Sequence, residues 1–240
     1  MSWGSWVAAS LGMGVLWFVW RVRAVYLQNR EPPPVLEGAR LSEEVREVVF
    51  AERAPEDDPA FQALLDQVAE GQGMEAARTD ARSVLLGWHR LRERGIQPAP
   101  EAADEVLGVV VESYFVADEG AATHATPITL AVFLDGESLY HHGAQRVPAE
   151  RDTRTDVLEA GHLLVVAASE LEDLPPPGPR STAVLNNGRV RFTFLTPSGP
   201  REVEVNLDRA LRDGGHPLHD LAELSLYLVG LKRGFPREKS

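Results

Sequence analysis

The 240-residue sequence contains no cysteine, and that single absence removes several chemistries. There is no disulfide framework, no thiolate metal site, no cysteine nucleophile and no iron–sulfur cluster. Basic residues are scarce, 24 against 36 acidic ones. The resulting formal charge of −12 opposes broad binding to a polyanion, so no nucleic-acid partner is expected. Aromatic residues make up only 7% of the chain. The sequence also lacks a GxSxG elbow, a Walker loop, a GxGxxG run after a strand and an HExxH helix, so no catalytic residue is assigned. What is present, 44% hydrophobic and 25% charged residues, is ordinary globular composition.

The few basic residues are unevenly placed. Residues 1–30 carry three arginines and no acid, so the whole net negative charge resides downstream. Trp3–Trp20 reads WGSWVAASLGMGVLWFVW, with no charged residue. As a helix it spans about 27 Å, close to the ~30 Å hydrocarbon core of a bilayer. Trp3 and Trp6 stand at one end and Trp17 and Trp20 at the other, where indole rings suit the membrane interface. Arg21, Arg23 and Arg30 follow the span and none precedes it, which predicts an outward N-terminus and a cytoplasmic C-terminal domain. A cleaved signal peptide wants a charged start and small residues at its end, and neither is present. Gly4, Ala8 and Gly12 recur every four residues, a small-residue stripe through which two such helices can approach, hence a candidate homodimer contact.

Four regions follow from the pattern. Residues 1–30 are the anchor and basic juxtamembrane stretch, 31–40 a proline-rich stalk, 41–100 a helical segment and 101–240 an α+β domain. Pro32-Pro33-Pro34 stiffens the stalk. In the helical segment Leu41, Val45, Val48 and Val49 share helical spacing, and so do Phe61, Leu64, Leu65 and Val68. Ala77, Ala81, Val84, Leu85, Trp88 and Leu91 mark a longer helix that Gly95 stops. Stripes of this width are usually buried core.

Past Glu105 the period changes to two. Strands are expected over 106–116, 128–134, 137–141, 181–185, 189–195 and 201–207, with helices over 148–174 and from Pro217 to Gly234. Asp135-Gly136 supplies a hairpin turn between the second and third strands. The order is β-β-β-α-β-β-β-α, an antiparallel sheet with both helices on one face. Arg189 and Arg191 alternate with Val190 and Phe192, and Glu202 and Glu204 with Val203 and Val205, which predicts a charge ladder on the solvent side.

Candidate ligands are few. His216, His219 and Asp220 share one helix face, but a metal site needs a third ligand at a distance the sequence does not give, and their setting reads as helix-start chemistry. His141 and His142 are adjacent in a strand and point to opposite faces. Glu112, inside a valine-rich strand, is either a surface charge or a costly core acid. No metal and no cofactor is assigned.

The segments VLGVVVE at 106–112, TLAVFLDGESLY at 129–140, GRVRFTFLT at 188–196 and GGHPLHDL at 214–221 resemble a group of bacterial proteins to which no activity is attached. In place of the glycine-rich run that often follows the hairpin there, this chain has His141-His142-Gly143-Ala144. A helix followed by β-β-α-β-β-β-α is also similar, at the level of topology, to roadblock or longin-type domains, which bind small GTPases and dimerise. The leading expectation is a single-pass protein of the bacterial inner membrane. It holds the bilayer through residues 3–20 and presents an acidic cytoplasmic domain to an unidentified protein partner, without catalysis. The alternatives are a roadblock-like regulator, or an enzyme or ligand or metal sensor using the sheet face near Glu112, His141 and His216.

Overall fold

The computed structural model describes residues 43–52, 59–119, 122–142, 154–181, 183, 185 and 188–233. The anchor residues Trp3, Trp6, Trp17, Trp20, Arg21 and Arg23 and the stripe Gly4, Ala8 and Gly12 lie outside them, as does the stalk. Among the described residues no helix is long and apolar enough to cross a membrane.

Three helices come first: α1 (Glu43–Val49), α2 (Pro59–Ala69) and α3 (Gly73–Glu93), then the single turn α4 (Pro100–Ala103). Strands β1 (Gly108–Glu119), β2 (Ala122–Phe133) and β3 (Ser138–His142) follow, then α5 (Thr155–Ser169). Strands β4 (Arg189–Thr196) and β5 (Gly199–Asn206) lead into α6 (Leu207–Arg212) and α7 (His219–Lys232). The five strands form one antiparallel sheet in the order β3-β2-β1-β4-β5.

The strand expected over 181–185 is corrected: Ser181, Ala183 and Leu185 belong to no strand. Side chains take up their backbone groups instead. The Ser181 N–H donates to Glu202 at 3.0 Å, and the Ala183 carbonyl accepts from Arg191 at 3.0 Å. The proline-rich segment before them lies along the edge strand β5, where the Gly178 N–H donates to Pro200 O and Arg201 Nη1 donates to Pro175 O. A run rich in proline offers few donors of its own, so it covers this edge without extending the sheet.

The two helices expected in the α+β domain, α5 and α7, do share one face of the sheet, and the helical segment that precedes the domain covers the other. Val109, Val110 and Val111 run without polar alternation, so the central strand presents apolar groups to both sides. On the first face Val109, Val111, Leu130, Val132, Phe192 and Phe194 pack against α5 and α7. On the second, Leu107, Val110, Ala131, Phe133 and Leu195 pack with Phe61, Leu65, Val84, Leu85 and Trp88 of α2 and α3. Burying each of these large side chains is worth about 1.5–3 kcal/mol. The apolar stripes of the helical segment are therefore core.

Two local features refine the reading. The Asp135-Gly136 turn closes the β2–β3 hairpin, with Gly136 alone at positive φ (87°) and the Asp135 carboxylate accepting the Glu137 N–H at 3.1 Å. Helix α3 is kinked at Asp80 (φ −153°, ψ 78°), whose carboxylate accepts the Ser83 N–H at 2.9 Å and so caps the second half.

Candidate functional site

Strand register places one polar residue from every strand in a single row on the second face. His141 pairs with Thr129, Thr129 with Glu112, Glu112 with Arg191, and Arg191 with Glu204. His141, Thr129, Glu112 and Arg191 are buried, and Arg191 is only 2% exposed. The expected ladder between β4 and β5 thus exists in part and on the other side. Arg191 faces Glu204, but Arg189 faces Asn206, and Arg191 is buried on the face that the N-terminal helices cover while the Glu204 side chain stays 37% exposed. Periodicity predicts the right alternation, but the polar face of β4 is the one that the helical segment covers.

Arg191 is the centre of the row. Its Nε donates to Glu204 at 3.0 Å, its Nη1 to Glu112 at 3.3 Å and its Nη2 to the Ala183 carbonyl. Burial alone would lower this guanidinium, but hydrogen bonding to Glu204 and the charges of Glu112, Glu204 and Glu202 outweigh it and hold Arg191 above its ordinary value. Glu112 is neither a free surface charge nor an unpaired core acid. One of its oxygens takes Arg191, and the other accepts from Arg46 Nη1 of α1 at 2.9 Å.

From Arg46 the network continues around the end of α1. Arg46 Nη2 donates to the Ser181 carbonyl at 3.2 Å, and its guanidinium lies 5.2 Å from the centre of the Phe50 ring. Arg180 lies 4.8 Å from the same centre and holds Glu52 with two hydrogen bonds, at 3.1 and 2.7 Å. Helix α1 ends with Ala51 in the left-handed conformation (φ 53°), which bends the chain so that Glu52 returns its N–H to Glu47 O at 2.7 Å. Alanine in this conformation costs about 1–2 kcal/mol. Val49, Phe50 and Ala51 are all buried, which offsets that strain. Arg92 of α3 is lowered by burial, with the charge of nearby Glu52 acting against that shift.

An acid engaged by two guanidinium groups fastens elements together. Here it joins the first described helix to β1 and β4, and Arg191 extends the link to β5.

The remaining predicted residues do not join the row. His216 lies before α7 and accepts the Leu218 N–H on Nδ1 at 3.1 Å, so it organises the helix start from outside the helix, which begins at His219. His219 Nδ1 donates to the Ala210 carbonyl at 2.9 Å, and its Nε2 lies 3.6 Å from Glu223. Asp220 is exposed in the first turn of α7. Leu218 and Ala210 belong to the first core, so these histidines and the row lie on opposite sides of the sheet. Among the described residues no group of three or more histidines or carboxylates could hold a metal ion. His141 and His142 do face opposite ways, His142 stacking on Tyr140 with ring centres 6.5 Å apart. Sequence reading missed Arg46, Phe50, Glu52 and Arg180, because nothing local distinguishes partners that meet across 66 and 128 positions.

The chain matches no protein-family model, no curated protein and no solved structure. In the described residues three strands precede α5 and two follow it, whereas the order used for the roadblock likeness has two before its middle helix and three after.

Proposed function

We propose that this chain is a membrane-tethered, non-enzymatic interaction or assembly module. Residues 3–20 anchor it singly in a bacterial inner membrane, residues 31–40 form the stalk, and the acidic α+β domain lies in the cytoplasm as the surface for a protein partner. The observation that supports this reading is the use made of a network of charges centred on buried Arg191 and Glu112. Arg46, Glu112, Arg191 and Glu204 join α1, the first described element after the stalk, to the sheet. An arrangement of that kind fastens α1 to the sheet, so that the chain enters the domain at a defined place. The acidic domain is repelled by anionic headgroups, so the stalk holds it clear of the lipid for a partner.

Alkaline carbonate extraction of membranes from cells expressing the full chain tests the tether. The chain is expected in the pellet, and the same chain with residues 3–20 replaced by a polar linker in the supernatant. Release of the unaltered chain by carbonate would sink the reading.

A further inference from the structure

We propose that the proline-rich strap beside β5, residues 174–180, is a preformed ligand for a partner domain whose groove is lined with aromatic side chains and rimmed with basic ones. Leu174, Pro175, Pro176 and Gly178 each precede a proline, which holds them extended, and every proline fixes its own φ. No described peptide bond is cis, so these constraints place the run in polyproline II, with three residues per turn. One row of residues faces the body of the domain. Leu174 packs against the first core, a methyl group built on Gly199 would lie 3.8 Å from Pro177 Cβ, and Arg180 holds Glu52. Pro176 and Pro179, three residues apart on another row, are exposed.

The strap is pinned without being covered. Arg201 Nη1 donates to the Pro175 carbonyl at 2.9 Å, the Gly178 N–H donates to Pro200 O at 3.0 Å, and Arg180 forks onto Glu52 with its guanidinium over the Phe50 ring. Among the described residues nothing donates to the carbonyls of Pro176, Pro177 or Pro179, so they are acceptors for the N–H or O–H of a partner's tryptophan or tyrosine. Aromatic grooves take such ridges because the rings are apolar and the backbone is already ordered. Pinning lowers the entropy cost further, so the strap docks more readily than a free peptide of the same sequence. Charge defines the rim. Glu170, Glu172 and Asp173 are exposed just before the strap, while Glu52 pairs with Arg180 at its other end. A partner that meets these acids is basic there. The inference rests on the reading of the chain as an interaction module, but not on the membrane anchor.

The test uses the full chain in detergent micelles, which disperse residues 3–20 whether or not they form an anchor. The chain is immobilised, exposed to a lysate of the cells that make it, and eluted with free poly-L-proline as the probe. Poly-L-proline is expected to release a bound protein that, once purified, binds the Pro176→Ala/Pro179→Ala chain at least about tenfold more weakly than wild type. Equal affinity for the two chains overturns the proposal, and so does release of nothing but a second copy of this chain. Proteins retained but none released by poly-L-proline overturns it while leaving the interaction module standing, and retention of nothing counts against both. Should the variant not fold, the free peptide of residues 172–181, EDLPPPGPRS, decides. It is expected to displace the purified partner from the wild-type chain, and failure to do so at about millimolar peptide overturns the proposal.

Discussion

Arg191 of β4 and Glu112 of β1 face each other across adjacent strands, Nη1 to carboxylate oxygen 3.3 Å, with 2% and 10% of their side chains exposed. Removing the cation leaves Glu112 buried, with Arg46 its remaining partner, and strips Glu204 of its donor. Arg191→Met is expected to destabilise the fold by about 3–5 kcal/mol in urea unfolding. Arg191→Met combined with Glu112→Leu should recover at least about 1 kcal/mol of that loss, because the acid no longer needs a partner. A single variant within about 0.5 kcal/mol of wild type would show that the pair holds nothing.

Gly161 brings α5 onto β2. A methyl group built on it would lie 2.9 Å from Val132 Cγ1, and the β-branched valine has little freedom to move aside. Gly161→Ala is expected to lower stability by about 1–3 kcal/mol. Gly178→Ala, with nothing within 4 Å of the added methyl, should stay within about 0.5 kcal/mol. Thermal melts of the two variants side by side make the comparison, and equal losses would place the close contact elsewhere.

Tyr140 sets an alkaline limit. Burial pushes its hydroxyl up to about 12 against the opposing charge of Arg233, and the hydroxyl has no hydrogen-bond partner among the described residues. The unfolded chain loses that proton near pH 10 while the folded chain keeps it. This contribution to stability is therefore complete below about pH 10 and is lost as pH rises toward 12. Tyr140→Phe should leave stability unchanged or slightly raised at pH 7 and should flatten the loss between pH 10 and 12, read as the difference between two chemical unfolding series. Parallel curves for the two proteins would contradict it.

The sheet was largely legible because its signals are local. The valine run of β1, the Asp135-Gly136 turn and the alternation within β4 and within β5 are each contained in a stretch of a dozen residues or fewer. Three things were not. Alternation says that Arg191 and Glu204 share a face but not which face is wet, and that depends on where α1, α2 and α3 pack. The apolar stripe through Ala77, Ala81 and Val84 is continuous across Asp80, so the kink shows only in a capping pair, Asp80 with Ser83. Segment 181–185 has the composition of a strand, yet the Ser181 N–H and the Ala183 carbonyl are claimed by Glu202 and Arg191, side chains that periodicity does not weigh. The candidate row was seen one residue at a time, as Glu112 or His141, because only register joins them.

The tethered arrangement is tested most directly by a single cysteine, since the chain has none of its own. Ser169 is exposed at the end of α5, and Ser169→Cys supplies the label site. In cells with only the outer membrane opened, a membrane-impermeant maleimide is expected to leave Cys-substituted chain unlabelled, with full labelling once the inner membrane is breached and the protein recovered with the membranes. Labelling before that breach, or recovery in the soluble fraction, would contradict a cytoplasmic domain held on a membrane anchor.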